Sequence, residues 1–189
     1  MAVLAMAKIP GGTHEMYDGV NQLMGITADN PPEGLIHHLA LDTDDGMMVI
    51  DVWESAEAFQ TFIASNADKF EAAGIPPFEP TILPVHNMLL GSGTQPNVAL
   101  VIDVEGFTPQ MYDEMTATMP AHQGEGSHES VSHTAALKGD SLLIVDVWDS
   151  PEHFQRFAQE QLADKDLPPF EPSVYPVYAR TAGKTRVSA

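Results

Sequence analysis

The chain repeats itself. Met16-Tyr17-Asp18 returns as Met111-Tyr112-Asp113 and Asp51-Val52-Trp53 as Asp146-Val147-Trp148, both 95 residues later. Pro76-Pro77-Phe78-Glu79-Pro80 returns as Pro168-Pro169-Phe170-Glu171-Pro172 after 92 residues, so the second copy is shorter after its second helix. A period this long is a duplicated domain and not a solenoid unit. With 189 residues the chain holds two small domains. The stretch Gly91-Ser92-Gly93-Thr94-Gln95-Pro96 has linker composition, and Pro96 at the third glycine position rules out a dinucleotide fingerprint. The expected organisation is a first repeat at 1–90, a linker at 91–96, a second repeat at 97–180 and a flexible basic tail at 181–189.

Each copy reads strand, helix, hairpin, helix, strand. The first copy predicts strands at 2–9, 35–42, 47–53 and 79–89, with helices at 13–25 and 55–71. In the second copy strands fall at 97–104, 130–138, 141–148 and 171–180, and helices at 108–119 and 150–162. Ser55 and Ser150 are N-cap residues, Pro151 suits a first helical position, and Glu57 and Glu152 complement the helix dipole. Phe59 and Phe62, like Phe154 and Phe157, have helical spacing and should face the sheet. A β-α-β-β-α-β order is the ferredoxin-like split unit, an α+β fold. Two such units in one chain can bury their open sheet faces against each other. The expectation is one pseudo-twofold α/β barrel with a ligand-sized interior.

Hairpin register carries the functional argument. Lys138-Gly139-Asp140-Ser141 reads as a two-residue turn, which sets His133 opposite Asp146 and Val131 opposite Trp148. The same turn at Thr43-Asp44-Asp45-Gly46 sets His38 opposite Asp51 and Ile36 opposite Trp53, although a three-residue turn with a glycine bulge would break that pairing. The other face carries Leu41/Met48, Leu39/Ile50 and His37/Val52. It is the greasier one and is expected to meet the helices, leaving His, Asp and Trp in the barrel interior. A carboxylate beside imidazole fixes its tautomer and stabilises the imidazolium, so His38–Asp51 and His133–Asp146 are candidate catalytic bases. Trp53, Trp148, Ile36 and Val131 are candidate walls for a small aromatic or hydrophobic molecule. His86 and Tyr178, matched on the last strands, are candidate polar contacts. Tyr17 and Tyr112 are read as helix packing residues. The same pairs also serve a purely structural reading, in which each fixes strand register.

Composition narrows the alternatives. The absence of cysteine excludes disulfides, thiolate catalysis and cysteine-ligated metal. A net charge of −19 with 8 Lys+Arg opposes binding to nucleic acid and to anionic membranes. The opening Met-Ala-Val-Leu-Ala-Met-Ala-Lys-Ile-Pro lacks a basic n-region and reads as a strand, and no run has transmembrane length, so a cytoplasmic protein is expected. His122 and His128 flank a glycine-rich loop and read as solvent-exposed. No dense ligand cluster points to a metal.

The segment Asp51-Val52-Trp53-Glu54-Ser55-Ala56-Glu57-Ala58-Phe59 and its second copy resemble the dimeric α/β-barrel superfamily, specifically its antibiotic biosynthesis monooxygenase-like branch. That family builds its barrel from two chains, so this sequence resembles a fused tandem version, a pseudo-dimer that leaves a higher oligomer open. The resemblance implies cofactor-free oxidation of anthrone-like phenols, with cyclases, isomerases and haem proteins as relatives. It also implies that Trp53 and Trp148 belong to the cavity wall. His14 and His153 occupy places where a helix offers a haem ligand, but they align with Pro109 and Ala58, which argues against haem. A cofactor-free monooxygenase-like enzyme is the leading expectation. A non-catalytic barrel that binds a hydrophobic ligand, and a cyclase or isomerase on the same scaffold, are the alternatives.

Overall fold

The computed structural model describes residues 1–91, 95–119, 130–165 and 167–183. Part of the linker expected at 91–96, the histidines 122 and 128 with their loop, and the tail beyond 183 lie outside them. The chain forms two compact units, Met1–Pro84 with Val177–Ala189, and Val85–Pro176. Both are mixed α/β units built on antiparallel strands.

The first unit contains β1 (Val3–Pro10), α1 (His14–Met24), β2 (Leu35–Thr43), β3 (Gly46–Trp53), α2 (Ala56–Ser65) and α3 (Ala67–Ala72). It is completed by the start of β4 (Thr81–Leu90) and the end of β8 (Ser173–Ala182), giving the strand order β4-β1-β3-β2-β8. The second unit contains β5 (Val98–Val104), α4 (Pro109–Thr116), β6 (Ser132–Lys138), β7 (Ser141–Trp148), α5 (Pro151–Phe157) and a π-helical turn at Ala158–Leu162. Its order is β8-β5-β7-β6-β4.

The unit boundaries fall inside the last strand of each repeat rather than after it. Thr81–Pro84 pair with β1, whereas Val85–Leu90 pair with β6. Ser173–Pro176 pair with β5, whereas Val177–Ala182 pair with β2. Pro84 and Pro176 sit at the change of partner. A proline has no N–H to give the ladder, so pairing is interruptible there. Thr181 and Ala182, expected in the tail, belong to β8.

Local chemistry sets the elements where the sequence placed them. Thr13, Ser55, Thr108 and Ser150 each accept a backbone N–H three residues on, capping α1, α2, α4 and α5. The long helix expected at 55–71 is instead two pieces. Asn66 stands between them, donating from Nδ2 to the Phe62 carbonyl at 2.8 Å and accepting from Lys69 Nζ at 2.9 Å. An asparagine that bonds the backbone competes with helix continuation. Both hairpins adopt the two-residue turn. In the first, a side chain at Gly46 would run into the Ile9 carbonyl, so only glycine lets the turn lie against the end of β1.

The sheet faces are the reverse of the expectation. The helices lie on the His–Asp–Trp face: the Trp53 ring packs on Phe59 and Phe62 of α2 at centroid distances of 5.8 and 5.0 Å. Trp148 packs likewise on Phe154 and Phe157 at 5.8 and 5.2 Å. The greasier set, Leu39, Leu41, Met48, Ile50 and Val52, is on the other side and is buried too. Where both faces of a sheet are buried, relative greasiness does not say which one meets the helices.

Candidate functional site

Period-two alternation puts His38 and Asp51 on one face of the β2–β3 hairpin, and they are cross-strand partners. His38 Nδ1–H donates to Asp51 Oδ1 at 2.6 Å. A carboxylate oxygen accepts, so Nδ1 carries the proton of this bond, and in that tautomer Nε2 is an acceptor. That acceptor is met from α1: the Tyr17 hydroxyl donates to His38 Nε2 at 2.8 Å. The second unit repeats the chain of bonds, with His133 Nδ1–H to Asp146 at 2.6 Å and Tyr112 O–H to His133 Nε2 at 2.8 Å.

The tyrosines are therefore site residues and not merely packing. Their recurrence at the 95-residue spacing was visible in the sequence, but packing residues such as Phe59 and Phe154 recur in the same way, so it did not mark them. Burial pushes the Tyr17 hydroxyl up to about 12, with the Asp51 and Asp18 charges adding to it against an opposing hydrogen bond from Asn21. Burial raises Tyr112 further. Both phenols are thus protonated donors at neutral pH.

A cavity of about 310 Å³ lies on this face of the first unit, between helices and sheet. Tyr17, Asp18, Asn21, His38 and Asp51 form its polar part, and Ala5, Ala7, Val20, Val49, Trp53, Phe59 and Phe62 are among its apolar walls. The cavity thus lies on the face that carries His38, Asp51 and Trp53, as expected, but that face is the helix-covered one. A larger depression of about 820 Å³ shares Met24, Ile26, Pro32, Leu35 and Phe62 with the cavity and continues past Glu33 and Glu54. Trp53 is buried, and its indole N–H has no hydrogen-bond partner among the described residues. The equivalent cavity of the second unit measures about 70 Å³.

Four expected contacts are placed elsewhere. Ile36 sits at a register shift, so that Leu35 and not Ile36 pairs with Trp53 and lines the cavity. Val131 precedes β6 and spends its N–H on the Val147 carbonyl at 2.7 Å; it is buried away from the cavity lining. Tyr178 and His86 stand at the rims of the sites, each beside the tyrosine of its unit. Tyr178 O–H donates to Asp18 at 2.9 Å, and its ring meets Tyr17 edge-on at 5.6 Å. His86 donates to Asp113 at 2.7 Å, and its ring meets Tyr112 edge-on at 5.6 Å. Because β4 and β8 change partner at their prolines, His86 serves the second unit and Tyr178 the first.

His14 is spoken for by Asp42, at 2.6 Å, and its ring stacks on Tyr178 at 3.6 Å. Among the described residues no group of three or more His, Asp or Glu is placed to hold a metal ion, and no helix is long and apolar enough to cross a membrane.

No family model matches the chain, and no curated protein sequence does. Its structure is similar to that of a candidate monooxygenase from Lactobacillus acidophilus NCFM, with a TM-score of 0.65 at 15% identity, over 96% of this chain and 96% of that one. A second candidate monooxygenase, from Fusobacterium nucleatum, gives a TM-score of 0.65 at 12% identity over 96% and 94% of the two chains. The likeness is one of fold.

Proposed function

We propose that this protein is a cofactor-independent, monooxygenase-like enzyme acting on an aromatic or polyketide-like molecule held in the first unit's cavity. The observation that carries the reading is an apolar cavity of about 310 Å³ with the Asp51–His38–Tyr17 chain in its wall. Flat walls at Trp53, Phe59 and Phe62 suit a fused-ring substrate. His38 takes a proton from an acidic C–H or phenol, directly or through Tyr17, and Asp51 stabilises the imidazolium. The substrate anion then reduces O2. One oxygen atom forms the new C=O bond of a quinone-like product, the other leaves as water, and two C–H bonds are lost.

The neighbouring folds at TM-score 0.65 are of proteins described as candidate monooxygenases, which fits this reading. The fused pseudo-twofold arrangement belongs to the same proposal, and a native mass of one chain would accord with it. One observation favours a second reading. The nitrogen that must accept the proton, His38 Nε2, is already engaged by Tyr17, as suits a protein that binds the ligand and leaves it unchanged.

Oxygen consumption with anthrone as substrate separates the two. Asp51→Asn keeps the side-chain shape and removes the charge; it is expected to lower kcat about 100-fold or more, with the circular dichroism spectrum unchanged. Anthrone bound but never oxidised by the wild type decides for the binding protein.

A further inference from the structure

We propose that the chain takes one small molecule, in the first unit only, and that Ala5, Ala7, Val20 and Val49 are the residues that make room for it. This rests on the reading of the cavity as a ligand site. The Asp–His–Tyr groups of the two units are the same: Asp51, His38 and Tyr17 are matched by Asp146, His133 and Tyr112 with the same bond lengths. These three groups therefore do not distinguish the units, and space does.

At the 95-residue spacing, Ala5 becomes Leu100, Ala7 becomes Ile102, Val20 becomes Met115 and Val49 becomes Ile144. These are equivalent places in the fold. Ala5 pairs with Asp51 as Leu100 pairs with Asp146, and Ala7 pairs with Val49 as Ile102 pairs with Ile144. The four first-unit residues line the large cavity. Of their counterparts, Ile102, Met115 and Ile144 line the small one, and Leu100 is buried in the core cluster around it. These four exchanges add about eight heavy atoms, and Phe107 at the place of Gly12 adds a ring, against about four atoms lost where Ile9 and Ile63 become Val104 and Ala158; the net gain is on the order of 200–300 Å³ at the density of a protein interior. That is the scale of the difference between about 310 and about 70 Å³. All four go from small to large in the same unit. Phe107, standing where the first unit has Gly12, adds a ring whose centroid is 6.3 Å from that of Tyr112. In the second unit the same Asp–His–Tyr chain then ties β6, β7 and α4 together around side chains and not around a ligand.

The test is calorimetric titration of the intact chain with 1-naphthol as the probe, with melting curves to verify each variant. One equivalent per chain is expected. Ala7→Ile should weaken binding at least about tenfold by occupying the cavity, with Ala5→Leu as a second variant if the first does not fold. Ile102→Ala should leave the first-unit affinity within about twofold. Two equal sites per chain, no saturable binding by the wild type, or unchanged affinity in a folded Ala7→Ile or Ala5→Leu variant would each overturn the proposal. If neither variant folds, the stoichiometry decides. One-to-one binding without anthrone oxidation sinks the oxygenase reading and leaves this inference standing. Oxidation that survives in Ala7→Ile but is lost in His133→Ala does the opposite.

Discussion

His37 and His38 are neighbours with opposite surroundings. Side chains alternate along β2, so one ring faces the helices and the other faces away. His38 is held between a carboxylate and a phenol. His37 is buried and receives Arg180 Nε–H on its Nε2 at 2.9 Å. Burial, then the guanidinium charge, pushes His37 down from the usual imidazole range to about 3. The folded state thus binds this proton less well than the unfolded chain. The stabilisation from a neutral His37 is complete above about pH 6.5 and is lost as pH falls from there towards about 3. A few kcal/mol are at stake over that window. Melting temperature should fall between pH 7 and pH 5 in the wild type and fall less in His37→Gln. Parallel slopes for the two proteins would remove His37 as the cause.

At the scale of elements, the helices are fixed by their first residues and by the aromatic side chains they lay on the sheet. The four side-chain caps are ordinary in kind, but those at Ser55 and Ser150 start the helices that carry Phe59, Phe62, Phe154 and Phe157 onto the two tryptophans. Ser55→Ala leaves the Ala58 N–H without its 3.1 Å partner. It should cost about 1 kcal/mol in urea unfolding with the slope unchanged. Loss of less than a few tenths would mean that water replaces the cap. The last strands add a different lesson. Pro84 and Pro176 let β4 and β8 change partners, and the change decides which of His86 and Tyr178 stands by which tyrosine.

Across the whole molecule the charge is the dominant fact. A net −19 on 189 residues gives self-repulsion in the compact state that the unfolded chain partly relieves. Screening weakens it, since the Debye length falls from about 30 Å at 0.01 M to about 8 Å at 0.15 M ionic strength. Raising sodium chloride over that range at pH 7 should therefore raise the melting temperature by a few degrees. A flat or falling profile would show that local ion pairs, which salt weakens, outweigh the net charge. At this scale, too, the two units differ: the same Asp–His–Tyr chain borders a ligand-sized space in one and packed side chains in the other.

The sequence by itself determined the repeat and most of the elements, though the helix expected at 55–71 breaks at Asn66, and it favoured the two-residue turns that pair His38 with Asp51 and His133 with Asp146. These follow from short-range rules: a turn fixes a register, a register fixes cross-strand neighbours, and a serine or threonine fixes a helix start. It did not determine which face the helices cover, because both faces are apolar enough to be buried. Nor did it reveal Tyr17 and Tyr112 as partners of the histidines, since contact between a helix and a strand depends on how the two pack. The slip that replaces Ile36 by Leu35 at Trp53 is of the same kind. Only the tertiary structure decided where the space is, for a cavity is what packing leaves over. Once that place is known, Ala5 and Ala7 against Leu100 and Ile102 account for the larger space of the first unit.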